Sequence, residues 1–163
     1  MSVSQLEIRT ATKADTATIY RFVMDLAIYE KAEQEVVASA ADIEASLFGE
    51  ESTTQALICE QDGVAIGFAV YFFNYSTWLG KHGIYLEDLY VSPAYRGVGA
   101  GQALLQHLAR IAVSKGCGRF EWSVLDWNTP AIDFYEHLGA VAQKEWIGYR
   151  LEGEALQRLA QQR

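Results

Sequence analysis

Two adjacent acids and a glycine run lie close together in the stretch YLEDLYVSPAYRGVGAGQALL, residues 85–105. Glu87 and Asp88 stand in an apolar pattern typical of a strand, and Arg96 opens the run RGVGAG before a leucine-rich helical pattern. Where a helix follows a glycine turn, free backbone N–H groups and the positive end of the helix dipole converge and favour phosphate. The stretch therefore predicts an anion site beside two carboxylates. The alternative for the glycines is a tight turn between strand and helix.

The glycine run departs from two familiar phosphate-binding patterns. The Walker pattern needs Lys and then Ser or Thr after its last glycine, whereas Gly101 is followed by Gln102 and Ala103. The dinucleotide pattern needs a glycine where Gln102 stands, and about 20 residues later it needs an acid at a strand end. Glu121 stands at that distance, on a strand that also carries Trp122. The loop thus suits phosphate without being typical of a nucleoside triphosphate or nicotinamide site.

Hydrophobic periodicity predicts the order strand, two helices and two strands, then strand, helix, strand, helix and two last short strands. Thr12 and Ser39 each precede an Asp three residues later, which predicts capped helix starts. A helix is expected over 102–115, and the last strands are expected near 140–143 and 146–151. This order indicates an α/β or α+β fold, with a mixed central sheet and helices on both faces.

Length and composition limit the classes of protein. With 163 residues, 50% of them hydrophobic, we expect one domain over 1–163. A net charge of -8 argues against a nucleic-acid surface. No window approaches the roughly 20 apolar residues of a membrane span, and no apolar signal segment is seen. Cys59 and Cys117 lack metal-ligand spacing. We therefore expect a cytoplasmic protein without a metal or a membrane partner.

The pattern Arg96-x-x-Gly99-x-Gly101 resembles the pyrophosphate loop of the GNAT acetyltransferase superfamily. The resemblance is wider than this loop and extends from about Ile8 to Glu154. It is closest to the thialysine acetyltransferase branch of the spermidine/spermine acetyltransferase group. The stretches that carry it are FAVY at 68–71, NYSTW at 74–78, YLEDLYV at 85–91, KGC at 115–117, VLDWN at 124–128, DFY at 133–135 and LGA at 138–140.

The resemblance implies a GNAT acyl-CoA N-acyltransferase fold and acetyl-CoA as the acetyl donor. Backbone groups would hold the pantetheine arm and the pyrophosphate, and Asn128 would orient the cofactor, although capping of the following helix is an equal alternative. Tyr135 would also contact the cofactor. The residues expected at the cofactor are Leu89, Tyr90, Val91, Arg96, Gly97, Val98, Gly99, Ala100, Gly101, Asn128 and Tyr135.

Two residues are expected to move protons. Glu87 is the candidate base for the amine, directly or through water, and is expected to share a face with Tyr85, Leu89 and Val91. Asp88 is expected to point the other way unless a bulge re-aims it. Without the resemblance the two acids could equally form a structural ion pair. Tyr135 is the candidate acid for the leaving thiolate, but its helical apolar stripe also fits core packing.

Glu30 and Glu33 match positions that related enzymes place near the amine. Trp78 is expected to cover the chain of the amine by apolar contact and cation-π attraction, and Glu87 and Asp88 are expected at the same site. A solvated helix end is the alternative for Glu30 and Glu33. The leading hypothesis is an acetyl-CoA-dependent N-acetyltransferase for a small lysine-like amino acid of the thialysine type or for a short diamine. A polyamine acetyltransferase is the second hypothesis, and a CoA-binding regulatory protein without turnover is the third. The resemblance also implies a homodimer.

Overall fold

The chain divides into two compact units, Met1–Ser123 and Val124–Arg163. The computed structural model describes residues 5–162. The sheet lies in the first unit, and each unit is described by itself below.

The first unit is a mixed five-stranded sheet with three α-helices. Its strands follow the order β1-β2-β3-β4-β5, antiparallel except for the parallel pair β4 and β5. The predicted order of elements is confirmed over this unit. The strands are β1 (Leu6–Thr10), β2 (Thr54–Gln61), β3 (Val64–Ser76), β4 (Lys81–Val91) and β5 (Phe120–Trp122), and the helices are α1 (Thr16–Tyr29), α2 (Ala40–Leu47) and α3 (Ala100–Ser114).

Both predicted capping boxes form. The Asp15 carboxylate accepts from the backbone N–H of Thr12 at 2.8 Å and from the Arg9 guanidinium at 2.8 Å, which holds the pKa of Asp15 below its ordinary value. Ser39 and Asp42 exchange side-chain to backbone hydrogen bonds of 3.1 and 2.8 Å at the start of α2. These bonds satisfy backbone N–H groups that a helix start leaves without partners. Local sequence therefore sets the start of the 3₁₀ turn Lys13–Asp15, which leads into α1, and the start of α2.

Helices cover both faces of the sheet, as predicted. On one face Phe22 of α1 is fully buried and stacks on Phe68 with ring centroids 5.4 Å apart, next to Tyr90. On the other face α3 packs against the sheet, with Gly101 beside the Val91 side chain. Tyr90 and Val91 are neighbours on β4 and therefore face opposite sides. The core thus consists of a layer on each side of the strands.

The second unit contains the helices α4 (Thr129–His137) and α5 (Gly153–Gln161). The prediction of strands near 140–143 and 146–151 is wrong, since the structure has neither a strand nor a ladder partner there. An alternating apolar pattern becomes a strand only when another strand accepts its backbone hydrogen bonds, and residues 124–162 hold no strand. The last strand of the sheet, β5, is short and ends at Trp122.

Candidate active site

A β-bulge in β4 separates the two adjacent acids. Val70 of β3 pairs with Asp88, while its neighbour Tyr71 pairs with Leu86, so Glu87 is left without a partner in the register. One extra residue in a strand re-aims the local side chains and strengthens the local twist. Glu87 is exposed and Asp88 is half-buried. Two residues of similar chemistry therefore occupy different environments.

The bulge also corrects a prediction about the faces of β4. Tyr85 pairs with Phe72, and Leu89 pairs with Ala69. Phe72 and Ala69 lie on opposite faces of β3, so Tyr85 and Leu89 lie on opposite faces of the sheet as well. Glu87 cannot share a face with both of them, and that prediction is wrong. The extra residue at Glu87 reverses the alternation that the sequence pattern assumed.

Asp88 is the carboxylate whose acidity the fold changes most. Burial, the charge of Glu87 and the charge of Glu30 together raise the pKa of Asp88 from 3.8 to about 6. Burial also raises the pKa of Glu30, which forms the C-terminal cap of α1. At pH 7 a carboxyl group with this pKa is about nine-tenths ionised and is a stronger base than an ordinary aspartate. The site can therefore attract an ammonium group or accept a proton.

The glycine loop after β4 is open and pre-shaped for an anion. A short 3₁₀ turn, Pro93–Tyr95, follows the strand, and α3 begins at Ala100. Gly97 and Gly99 have φ of 89° and 85°, which L side chains rarely adopt, and Gly99 is the N-cap of α3. Because the N-cap has no side chain, the first N–H groups of α3 face outward for a ligand. This geometry fits a phosphate or pyrophosphate.

Arg96 connects the loop to the end of α1. Its Nε donates to the Val91 carbonyl oxygen at 3.3 Å, and its guanidinium lies over the Tyr29 ring, 5.2 Å from the centroid. A cation over a ring face is attracted by the ring quadrupole. Tyr29 precedes Glu30, so the same helix end contacts the anion loop and contributes to the pKa of Asp88.

The remaining residues that are expected near the amine substrate lie on exposed turns. Glu33 begins a 3₁₀ turn after α1, and Trp78 in the β3–β4 turn is 87% exposed. Ser76 is buried, and its Oγ accepts from the Leu79 N–H at 3.2 Å. Ser76 therefore shapes the turn that presents Trp78.

Asn128 and Tyr135 belong to the second unit. Asn128 is buried at the N-cap of α4, where its Oδ1 accepts from the Ala131 N–H at 3.4 Å. Tyr135 is half-buried, with its ring centroid 5.8 Å from that of Phe134. Asn128 thus caps α4, and the roles of both residues toward a cofactor stay predictions.

Tyr90 and Tyr29 differ from what the sequence suggested. The Tyr90 side chain is buried in the core against Phe22, so only its backbone remains for a cofactor. Tyr29 was not among the expected site residues, although it contacts Arg96. In the sequence, only the position of Tyr29 next to the candidate Glu30 pointed to it. Its contact with Arg96 joins residues that lie far apart in the chain.

The Acetyltransferase (GNAT) family matches residues 18–140, which is most of the chain. The mixed five-stranded sheet with its helices is the fold of this family. The chain belongs to the GNAT acetyltransferase family and is an N-acetyltransferase.

The names of its relatives describe acetyl transfer to amines. A thialysine N-epsilon-acetyltransferase of Mus musculus is 38% identical over 97% of this chain and 99% of its own length. A spermidine/spermine N(1)-acetyltransferase-like protein 1 of Homo sapiens is 33% identical over 95% of this chain, and the match covers 24% of that relative's length. A solved integron cassette protein from V. cholerae superposes with a TM-score of 0.81 at 30% identity, covering 96% of this chain and 98% of its own.

Two classes of feature are absent from residues 5–162. None of the helices described there is long and apolar enough to cross a bilayer. In the same residues no group of three or more His, Cys, Asp or Glu side chains is arranged to hold a metal ion.

The raised pKa of Asp88 predicts a pH-dependent difference in stability between the wild type and Asp88→Asn. A raised carboxyl pKa stabilises the fold fully below the unfolded pKa, and this contribution is lost as pH rises through about 6. The free energy of unfolding of the wild type relative to Asp88→Asn should therefore fall by about 2 kcal/mol between pH 4.5 and 7.5.

Urea unfolding of both proteins at the two pH values measures this change. Glu7→Gln, at an exposed carboxylate of β1, is the matched control, and its difference from the wild type should change by less than about 0.5 kcal/mol. A constant difference for Asp88→Asn would show that Asp88 titrates normally in the folded protein.

Proposed function

We propose that the protein transfers the acetyl group of acetyl-CoA to the primary amine of a small lysine-like amino acid of the thialysine type, or of a short diamine, by direct attack on the thioester. The observation that carries the proposal is the pair of carboxylates at the bulge of β4, which leads into an open glycine loop at the start of α3. The similarity to thialysine acetyltransferases over nearly the whole chain supports this acceptor class.

The donor would be held mainly by backbone groups. The two glycines with positive φ and the open helix start fit the pyrophosphate of acetyl-CoA, and Arg96 adds a positive charge. Acetyl-CoA supplies the thioester, and the chain supplies the groups that position it. The residues proposed for this role are Leu89, Tyr90, Val91, Arg96, Gly97, Val98, Gly99, Ala100, Gly101, Asn128 and Tyr135.

The amine must lose its proton before it attacks. With a pKa of about 10.4, only about one primary amine in a few thousand is neutral near pH 7. We assign Glu87 as the base, directly or through water, and Tyr135 as the acid that protonates the leaving thiolate. Asp88, Glu30 and Glu33 would attract the ammonium group.

Trp78 would cover the chain of the bound amine. Its exposed ring can make apolar contacts with methylene groups and attract a cation to its face. Ser76 holds the turn beneath it through the hydrogen bond to Leu79, so the ring position follows from the turn.

A polyamine acetyltransferase is the second candidate. The net charge of -8 and the relative named after spermidine and spermine favour it. Ser76 argues against it, because a buried hydroxyl that already accepts a backbone hydrogen bond offers no charge to a distant ammonium group. A CoA-binding regulatory protein without turnover is the third candidate, and the presence of Glu87, Asp88 and Tyr135 argues against it.

The range 18–140 matched by the family crosses both units, which supports a single acetyltransferase domain over 1–163. Cys59 and Cys117 are free thiols, which supports a reducing compartment such as the cytoplasm. No nucleic-acid or membrane partner is proposed.

The acceptor class can be tested by measuring thiol release from acetyl-CoA with thialysine, lysine, putrescine, spermidine, spermine and no amine. We expect the highest kcat/KM with thialysine or a short diamine. A preference for spermidine would replace the leading candidate with the second, and acetyl-CoA binding without any turnover would favour the third.

Glu87→Gln should lower kcat by roughly 10² or more, since general base catalysis contributes about this much. Glu50→Gln, at an exposed carboxylate after α2, is the control and should retain full activity. The pH profile of kcat distinguishes base catalysis from a binding defect. An unchanged rate across pH would remove Glu87 from the mechanism, and Tyr135→Phe tests the acid in the same way.

The protein is also proposed to be a homodimer. Several large apolar side chains of the second unit are exposed, among them Val141 at 76%, Ile147 at 76% and Tyr149 at 94%, and a subunit contact would bury such a surface. Sedimentation velocity at micromolar concentration should give twice the mass of the chain. A monomer at that concentration would contradict this assembly.

A further inference from the structure

An apolar cavity of about 230 Å³ that is partly open to solvent lies in the first unit, beside Asp88, and most of its lining residues are half-buried. Helices α1 and α2 and strands β2, β3 and β4 contribute its walls. Asp88 is its one ionisable lining residue among those the structure describes, and two hydroxyl residues complete the lining. The aliphatic side chains that form most of the wall are Ile19, Val23, Ile43, Leu47 and Val70.

The charge at the wall of this cavity favours a cation. Burial and the charges of Glu87 and Glu30 all make ionisation of Asp88 costly. No cation lines the cavity among the described residues, and the side chains of Arg9 and Lys13 are paired with other carboxylates of this unit, Asp15, Glu60 and Glu44. An ammonium group beside Asp88 would offset the repulsion and the lost hydration together.

The rest of the wall favours an uncharged, apolar body. A second ammonium group or a carboxylate held inside the cavity would face aliphatic side chains such as Ile43 and Leu47, where a charge loses hydration and gains no partner. Methylene groups or an aromatic ring would instead gain from leaving water. A ligand with one positive charge at one end and an otherwise apolar body therefore matches Asp88 and its surroundings.

We propose that this cavity binds primary monoamines with an alkyl or arylalkyl body, that their ammonium group pairs with Asp88, and that such amines are a further class of acetyl acceptor. The acceptor half rests on the proposed acetyl transfer. In that reaction the bond from acetyl carbon to sulfur breaks and a bond from acetyl carbon to nitrogen forms. The ammonium nitrogen loses two protons, of which one ends on the thiol and the other is released to solvent.

A matched pair of probes isolates the effect of a second charge. n-Pentylamine and 1,5-diaminopentane have the same chain and differ in one terminal ammonium group. In an n-alkylamine series from three to six carbons, kcat/KM should rise about four-fold per methylene until the cavity is filled, because each buried methylene contributes about this factor. No such rise is expected for the diamines of the same lengths.

Val23→Phe is designed to fill the cavity from α1. It should lower kcat/KM for n-pentylamine at least ten-fold and leave that for thialysine within three-fold, which also shows that the variant folds. Val113→Phe, the same substitution at a position of α3 that is 80% exposed, is the control and should change neither value. Ile43→Phe fills the cavity from α2 and serves if Val23→Phe does not fold.

Calorimetric titration of the full-length protein with n-pentylamine, without acetyl-CoA, separates this proposal from the proposed function. Binding that is lost in Val23→Phe and Asp88→Asn, with acetylation of n-pentylamine in the wild type, supports both halves. The same binding without acetylation of any amine supports the cavity and overturns the acceptor half together with the proposed function. Acetylation of thialysine without binding or turnover of n-pentylamine, or an equal loss for both amines in Val23→Phe, overturns the proposal alone.

Discussion

The bulge at Glu87 is the constraint on which the site depends. It leaves Glu87 unpaired and exposed, while Asp88 pairs opposite Val70 on the face that α1 covers. Without the extra residue, the alternation of β4 would place Tyr85 on the face of Leu89 and Val91. The bulge is therefore the reason why one carboxylate is available to solvent and its neighbour meets an apolar wall.

Helix α1 connects the core, the acid site and the anion loop. Its start is fixed by the bonds of Asp15 to Thr12 and Arg9, and its middle is fixed by the stacking of Phe22. Its end then carries Tyr29, which lies against the loop, and Glu30, whose charge acts on Asp88. The end of one helix therefore meets both the glycine loop and the acids near β4.

Both the charge and the shape of this region bear on which amines can bind. The acids near β4 attract any ammonium group, and charge alone would favour polyamines. The aliphatic wall beside Asp88 and the occupied hydroxyl of Ser76 offer nothing to a second charge. The cavity beside Asp88 therefore suits the part of an amine that carries no charge, because an unpaired charge that leaves water is strongly unfavourable.

The sequence by itself determined the helix starts at Thr12 and Ser39, the order of elements through α4 and the glycine loop, because caps, periodicity and glycine torsions act within a few residues. Tertiary structure alone decided that Asp88 is the buried acid, that a cavity lies beside it, and that residues 140–151 are not strands. Burial, charge coupling and strand pairing join residues far apart in the chain, and no local pattern encodes them.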